Sequence, residues 1–365
     1  MAQRKKIVLV GMSGGVDSSV ATALFKAEGY EVIGVMMKIW DGRSLPPEKS
    51  SHSCYGPGEI EDEKDARKIA DYLGIPFYVF DLAEQYNSQV LKPFCEEYLC
   101  GRTPNPCVIC NHKMKFGLLA QKASEAGIKF DYFATGHYAR NEYDPRRKRW
   151  ILKKGIDEKK DQSYFLYHLS QEQLSRTLFP LGSYRKEKVR ELAREFGLEV
   201  ARKKESQDFI SGSDYSVLFE GNYEPGPILD ESGKQLGVHK GIIFYTIGQR
   251  KGLGISSREP LYVSRIDPKR NAIIVSPMKS LLSRGLIAEQ LNWIAVSKPE
   301  KPLRVKAKIR QQHSPADATL TLIEDDKVKL EFDHPQSAIT PGQAVVFYQD
   351  DEVLGGGTIQ AGIRE

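Results

Sequence analysis

The sequence predicts an α/β protein. A doubly wound parallel sheet is expected over roughly the first two hundred residues, then a small central, mostly β domain and a C-terminal antiparallel β-barrel. Three observations carry this expectation. Strand-like and helix-like runs alternate up to about Asp208. Beyond it Gly and Pro become frequent (Gly221, Pro225, Gly226, Pro227, Gly233, Gly237, Gly241) and the apolar runs become short and β-branched. The length, 365 residues, exceeds one ordinary domain of ~100–200 residues. The expected divisions are 1–208, 209–280 and 281–365.

The elements follow in order. Ile7–Val10 is a short apolar run ending at Gly11, read as the first strand. Ser18–Glu28 has helical periodicity, with Val20, Leu24 and Phe25 on one face. Glu31–Met37 reads as a second strand. Asp62–Leu73 is amphipathic through Ala66, Ile69, Ala70 and Leu73, and Gly74 suits a C-terminal cap. Phe77–Phe80 and Tyr132–Thr135 read as strands, with helices at Glu84–Tyr98, Lys113–Glu125 and Arg185–Phe196. In the β part, Gly241–Ile247, Leu261–Ile266 and Ala272–Val275 read as strands, with more from Leu286 onward.

Composition excludes several classes. The chain is 40% hydrophobic and 28% charged, which argues against global disorder. No run of 18 apolar residues exists to span a membrane as a helix, and Met1–Lys6 leads directly into a strand without a signal-like segment. The net charge of +5 is compatible with a polyanionic partner. The five cysteines are Cys54, Cys95, Cys100, Cys107 and Cys110, an odd number confined to the first third. A disulfide framework is not expected, and the reading is a cytoplasmic protein.

Between the first strand and first helix lies Gly11-Met12-Ser13-Gly14-Gly15-Val16-Asp17-Ser18-Ser19. Adjacent glycines let backbone approach a ligand closely, and amides at a helix start attract phosphate. The Gly-Lys-Ser/Thr ending of a Walker loop is missing. The plainer alternative is a turn capped by Asp17 or Ser18.

A second motif is Gly101-Arg102-Thr103-Pro104-Asn105-Pro106-Cys107-Val108-Ile109-Cys110-Asn111, followed by Lys113-Met114-Lys115-Phe116. Its prolines stiffen a loop ahead of a helix, whose dipole favours thiolate at Cys107 and Cys110. Such a thiolate serves as nucleophile, metal ligand or persulfide carrier. A zinc half-site and a buried pair are the plainer alternatives, but the chain has no second Cys-x-x-Cys. Further strings are Ala134-Thr135-Gly136-His137-Tyr138-Ala139-Arg140 at a strand end and Lys160-Asp161-Gln162-Ser163-Tyr164-Phe165-Leu166.

The phosphate loop resembles that of the N-type ATP pyrophosphatases. Together with Thr246-Ile247-Gly248-Gln249-Arg250-Lys251-Gly252-Leu253-Gly254 and Thr340-Pro341-Gly342-Gln343, the strings resemble the tRNA-specific 2-thiouridylases over residues 11–343. That resemblance implies ATP and Mg²⁺ as cofactors and tRNA as substrate, with adenylation of the wobble uridine releasing pyrophosphate. It puts the nucleotide on Gly11, Met12, Ser13, Gly14, Gly15, Val16, Asp17 and Ser18, with Met37 and Gly136 beside the adenosine and Asp17 acting with Mg²⁺. Cys110 corresponds to the catalytic cysteine. Asn105, Pro106 and Cys107 would line the target base, and His137, Lys160, Asp161, Gln162 and Gln343 would contact tRNA. The rival readings are a pyrophosphatase-loop ligase using an amine nucleophile and a non-catalytic zinc- or RNA-binding protein.

The family's persulfide relay places a second cysteine just after a Ser-Gln-Asp/Glu string. Here the segment is Glu205-Ser206-Gln207-Asp208-Phe209-Ile210-Ser211-Gly212, without cysteine, and none follows Cys110. Three routes stay open. Cys107 or another upstream thiol replaces it, or Cys110 takes sulfur directly from a carrier protein and uses an external reductant. The third, preferred on the sequence, is a [4Fe-4S] cluster held by Cys54, Cys107 and Cys110 with an open iron for hydrosulfide. Cys95 and Cys100 read as core residues. Finally, Arg304, Lys306, Lys308 and Arg310 alternate with Val305, Ala307 and Ile309, which puts four cations on one strand face for RNA phosphates. Arg146–Arg149 with Lys153 and Lys154 makes a second basic patch.

Overall fold

The computed structural model describes residues 4–42, 53–203, 208–210, 215–219, 221, 223–324 and 326–363. They form two compact units: Met1–Val90, Cys107–Asp214 and Asp351–Val353 in the first, Leu91–Pro106, Tyr215–Asp350 and Leu354–Glu365 in the second.

The first unit has strands β1 (Ile7–Gly11), β2 (Glu31–Lys38), β3 (Ser53–Tyr55), β4 (Phe77–Asp81), β5 (Tyr132–Thr135), β6 (Ala139–Asp144), β7 (Arg149–Lys154), β8 (Thr177–Leu178) and β9 (Asp208–Ile210). Five of them make a parallel sheet in the order β4-β2-β1-β5-β8. Its centre is an unbroken apolar run, with Val8, Leu9 and Val10 fully buried, as a strand covered on both faces requires. Helix α1 (Val16–Ala27) and the helix Lys186–Glu195 share a core through Val20, Leu24, Val189 and Ala193. Helix α2 (Glu59–Leu73) ends at Gly74 in the left-handed conformation expected of its cap.

From β1 the chain winds outward to β2 and β4 on one side and to β5 and β8 on the other. The switch point therefore lies between β1 and β5, and ligands of open parallel sheets bind beyond the strand ends there. Gly11 closes β1 and Thr135 closes β5.

Several elements differ from the sequence expectation. Helix α2 starts three residues early, at Glu59, because Gly58 ends the preceding loop. The two expected helices after β4 are composite. One runs as α-helix at Ala83–Tyr86, π-helix at Asn87–Leu91 and α-helix at Lys92–Leu99. The other runs as α-helix at Pro106–Ile109, π-helix at Cys110–Leu119 and α-helix at Ala120–Glu125. The basic segment Arg146–Arg149 forms the turn of the β6–β7 hairpin, whose edge pairs with Glu352 and Val353.

The second unit holds β10 (Gly226–Leu229), β11 (Gln235–His239), β12 (Leu261–Asp267) and β13 (Ala272–Pro277), ordered β11-β10-β13-β12. The expected strand Gly241–Ile247 is instead a 3₁₀ turn, Ile242–Phe244. Ile242, Ile243 and Tyr245 are buried all the same, and a short apolar run does not by itself distinguish the two forms. The remaining strands are β14 (Leu282–Trp293), β15 (Leu303–Lys308), β16 (Ala316–Glu324), β17 (Lys327–Ser337), β18 (Ala344–Gln349) and β19 (Glu352–Ile363). They follow the order β14-β17-β16-β15-β18-β19, and β14 pairs with β19 to close an antiparallel barrel. Val305, Ala307, Leu320, Leu330 and Val346 fill its interior.

Candidate nucleotide and sulfur site

The phosphate loop leaves β1 at Gly11 and enters α1 through Gly15, the N-cap residue, which has no side-chain capping bond. The plainer alternative of a turn capped by Asp17 or Ser18 is thus not what forms. The first amides of α1 stay open to an anion. Ser18 and Ser19 instead brace the loop: their hydroxyls donate to the Gly15 carbonyl at 3.2 and 2.8 Å, and the Ser13 amide donates to Ser18 Oγ at 3.1 Å. Gly14 has φ of +65°, and a Cβ there would lie 2.2 Å from the Asp62 carbonyl oxygen. Helix α2 is thus packed against the loop so tightly that only glycine fits. Met12 points inward and is buried, Val16 is buried, and Met37 is half-buried near the carboxyl end of β2.

Asp17 is held by two residues from distant segments. Lys186 Nζ donates to its oxygens at 2.7 and 2.8 Å, and the Tyr138 hydroxyl donates to Oδ1 at 2.8 Å. The Lys186 side chain is only 8% exposed, so this ion pair is largely shielded from water. A carboxylate has about four acceptor positions and three are used here. The remaining one suits Mg²⁺, which takes one or two carboxylates and completes its shell with phosphate oxygens and water. Lys203 fixes the loop from the other side, donating to the Gly14 carbonyl at 3.2 Å and to Asp62 and Asp65 at 2.7 Å each. Sequence reasoning missed Lys186, Tyr138 and Lys203 as site residues. They are separated by 169, 121 and 189 residues from their loop partners; no local pattern announces Lys186 or Lys203, and the string that contains Tyr138 does not reveal its bond to Asp17.

The Gly136–His137 turn follows β5 and meets the loop directly. A Cβ on Gly136 would lie 2.7 Å from both the Asp17 carbonyl carbon and the Ser18 nitrogen. His137 Nδ1 is 2.7 Å from Thr135 Oγ1, and its ring packs on Phe116 with centroids 5.8 Å apart. Burial, then the nearby Lys115 ammonium, hold the imidazole well below its usual pKa, so it is neutral. One turn therefore touches the phosphate loop on one side and the cysteine-bearing helix on the other.

None of the five cysteines is in a disulfide. Cys107 is half-buried, and Cys110 is buried where the helix passes from α to π winding. π segments occur disproportionately at functional sites. The expected helix-start thiolate is corrected at Cys110: burial pushes its pKa up to about 11 against the opposing pull of Lys115. Burial lowers the Lys115 pKa, but Cys110, Cys54 and Cys107 around it outweigh this and keep it above the usual lysine value. Tyr86 is fully buried and stacked on Tyr55 at 5.8 Å; burial first, then the same three cysteines, push its pKa well up.

The preferred iron–sulfur reading of Cys54, Cys107 and Cys110 receives no support. Among the described residues no three His, Cys, Asp or Glu side chains converge as metal ligands. Cys54 is exposed, Cys107 half-buried and Cys110 buried, so the three do not present one common face to a cluster. The residues do not fit that group. Cys54 lies on β3, exposed, and β3 pairs with β9 so that Ser53 meets Asp208 and Tyr55 meets Ile210. Glu205, Ser206, Gln207, Ser211 and Gly212 lie outside the described residues. Cys100 is exposed, which corrects its reading as core, while Cys95 is half-buried.

The residues expected at tRNA divide. Asp161 is buried, accepting from the Gly155 and Ser163 amides at 3.1 Å each and from the Ser163 hydroxyl at 3.0 Å. It shapes the turn that carries Lys160 and Gln162 and has no exposed face for RNA. Gln162 Oε1 accepts from the Tyr138 amide at 2.9 Å. In the second unit, Gln343 Nε2 donates to the Pro104 carbonyl at 3.5 Å, and the Thr103 amide donates to Pro341 at 2.8 Å. The barrel loop thus holds the segment that ends in Asn105 and Pro106. The cationic face of β15 is corrected. Its alternation is present, but Arg304 is bound bidentately by Asp333 at 2.8 and 2.6 Å and Lys306 by Asp317 at 2.8 Å. Arg310 is exposed and donates to the Ser337 carbonyl at 3.4 Å.

Comparison with known proteins agrees with this architecture. Residues 6–211 match the family model described as tRNA methyl transferase HUP domain, 219–277 the tRNA methyl transferase PRC-barrel domain and 283–359 the aminomethyltransferase beta-barrel domain. The tRNA-specific 2-thiouridylase MnmA 2 of Thermoanaerobacter sp. (strain X514) is 49% identical over 363 residues, 98% of each chain. The tRNA-specific 2-thiouridylase MnmA 1 of Caldanaerobacter subterraneus subsp. tengcongensis is 50% identical over the same shares. Among solved structures, a 4-thiouridine synthetase–RNA complex with bound ATP matches at 16% identity and a TM-score of 0.31, covering 59% of this chain and 49% of that one. Identity near one half across essentially the whole length, with a glycine phosphate loop at the sheet's switch point, leaves one assignment: the chain belongs to the tRNA-specific 2-thiouridylase family.

Proposed function

We propose that the chain thiolates the wobble uridine of tRNA at position 2 through an adenylated base, with Cys110 carrying the sulfur. The observation that carries this reading is the Gly136–His137 turn, packed on the phosphate loop through Asp17 and Ser18 and on the cysteine helix through Phe116. Nucleotide and thiol chemistry then share one crevice.

The uridine 2-oxygen attacks the α-phosphorus of ATP, forming an O–P bond and expelling pyrophosphate. The open amides of α1 and the loop bind the phosphates, and Mg²⁺ when bound supplies further neutralisation of their charge. Lys186 and Tyr138 orient the Asp17 carboxylate beside it. The terminal sulfur of a Cys110 persulfide, received from a persulfide-bearing donor protein, attacks C2 as the C–O bond to AMP breaks. The Cys107 thiol then attacks Cys110 Sγ. The S–S bond to the base breaks, thiouridine leaves, and a Cys107–Cys110 disulfide remains for an external dithiol to reduce. Lys115, an ammonium beside these thiols, stabilises the anionic sulfur of each step. Asn105 and Pro106 line the base and Gln343 steadies their loop.

Cys110→Ala is expected to abolish thiolation while tRNA-dependent pyrophosphate release persists. Thiolation by that variant would overturn the reading. Cys107→Ala is expected to accumulate a tRNA–protein adduct that a thiol reagent cleaves. A second reading, with Cys54 as the resolving thiol, is favoured by its presence near Lys115 and Tyr86. Non-reducing peptide mapping after one turnover separates the two: Cys107–Cys110 in the first, Cys54–Cys110 in the second.

A further inference from the structure

The acids of β16 and β17 neutralise Arg304 and Lys306. A protein that takes a polyanion needs cations that are not already matched, and the central domain has them. The loop between Gly248 and Leu261 carries Arg250, Lys251 and Arg258, all exposed, and among the described residues none of the three has an acidic partner. One acid, Glu259, lies beside them.

The loop is held in shape. The Gly248 amide donates to the Val263 carbonyl at 2.8 Å, the Val263 amide to the Gln249 carbonyl at 2.9 Å, and Gln249 Nε2 to the Lys251 carbonyl at 3.1 Å. Leu253 anchors it by burial. Between these fixed points lies a cleft of about 410 Å³ lined by Arg250, Gly252, Gly254, Ser257, Arg258 and Glu259. Gly252 and Gly254 take φ of +77° and +65°, and a Cβ on Gly254 would meet nothing within 4 Å, so backbone is bare at the cleft. Two guanidinium forks, a hydroxyl and bare glycine backbone offer donors to phosphate oxygens, beside an apolar part made by Leu253, Ile255, Pro260 and Leu261. Cations flank an exposed loop on both sides of the cleft, which fits an extended backbone better than an enclosed small anion.

We propose that the Gly248–Leu261 loop is a phosphodiester-binding surface for tRNA, with Arg250, Lys251 and Arg258 as its contacts. This rests on tRNA being the substrate and is independent of which thiol delivers sulfur, so binding is read directly. The experiment follows tRNA affinity of the full chain by fluorescence anisotropy across a potassium chloride series. The triple variant R250A/K251A/R258A is expected to bind tRNA roughly tenfold more weakly at ~0.1 M salt, and its log–log salt slope to shrink by about 2 to 3, at ~0.7–0.9 per lost phosphate contact. Its ATP affinity and melting temperature are expected to match wild type. R250K/R258K, which keeps the charge, is expected to keep the slope, and R304A/K306A, which removes matched cations, to leave it within about 0.5. A wild-type slope and affinity in the triple variant overturns the proposal. So does an equal loss in R304A/K306A, because any lost cation would then produce the effect.

Discussion

Gly136→Ala is the sharpest test of how the nucleotide site is assembled. Gly136 lies outside the left-handed region, so alanine meets no backbone strain of its own. The conflict is one of space. Its new Cβ would stand 2.7 Å from the Asp17 carbonyl carbon and the Ser18 nitrogen and 3.0 Å from Asp17 Cβ, whereas ordinary contact begins at 3.4 Å. Two of those atoms are backbone in the first turn of α1 and cannot rotate away. The turn must retreat by about 0.7 Å, a typical overpacking displacement costing ~1–3 kcal/mol. In a unit of roughly two hundred residues that lowers the melting temperature by only about 2–12 °C. Catalysis is far more sensitive, because a displacement approaching 1 Å in a positioned site costs on the order of 100-fold in rate. The assays are ATP binding by calorimetry, tRNA-dependent pyrophosphate release and a thermal melt. The expected result is a folded protein with pyrophosphate release reduced about 30- to 100-fold. Wild-type release and ATP affinity would refute the argument that this contact sets the loop.

Two further perturbations follow from buried charge. Asp17→Asn leaves the Lys186 ammonium, 8% exposed, without its counter-ion. Removing one partner of a buried pair costs ~3–5 kcal/mol, reduced here to about 2–3 because Asp17 is 31% exposed, so the melting temperature should fall by roughly 4–12 °C and an unchanged one refutes the pairing. Glu59 is buried at the start of α2 and accepts from the Ile39 and Trp40 amides at 2.7 and 3.1 Å, yet burial raises its pKa to about 7. The folded chain then holds a proton that the unfolded chain releases near the ordinary value of 4.5. The stabilisation is complete below about 4.5 and lost as pH rises to about 7, up to roughly 3 kcal/mol in all. Glu59→Gln should flatten the fall of melting temperature between about pH 5 and pH 7, and a slope equal to wild type refutes the assignment.

The parts of the fold that were legible are those written in local pattern. Val8, Leu9 and Val10 announce a doubly covered strand by their unbroken apolar run, and Gly74 announces its cap by type and place. The phosphate loop was legible because Gly14 is needed by the close approach of Asp62, and the Gly14-Gly15 pair stands between a strand and a helix. Winding within helices was not legible. Nothing between Cys110 and Leu119 distinguishes π from α in the sequence, since both keep apolar residues on a similar face. Within the π segment Phe116 packs against Phe133, His137 and Phe179, three partners supplied by other elements.

Electrostatic meaning was the least legible because it depends on strand register and chain return. The alternation from Arg304 to Arg310 correctly separates a buried face from a polar one, but it says nothing about the facing strands. Lys306 stands opposite Asp317 in the β15–β16 register, and Arg304 reaches Asp333 on β17, so two of the four cations of the stripe are matched by acids. The cysteines follow the same logic in reverse. Read alone, Cys-x-x-Cys at a helix start promises thiolates, and a third cysteine promises a metal cluster. Burial raises the Cys110 pKa, and the charge set among the thiols is the ammonium of Lys115. Such an environment disfavours the thiolate of unloaded Cys110. It favours a persulfide in its place, because a persulfide ionises more readily than its parent thiol and its anion would lie beside a cation already positioned for it. On the proposed route, Lys115 would steady the sulfur anion that forms on Cys110.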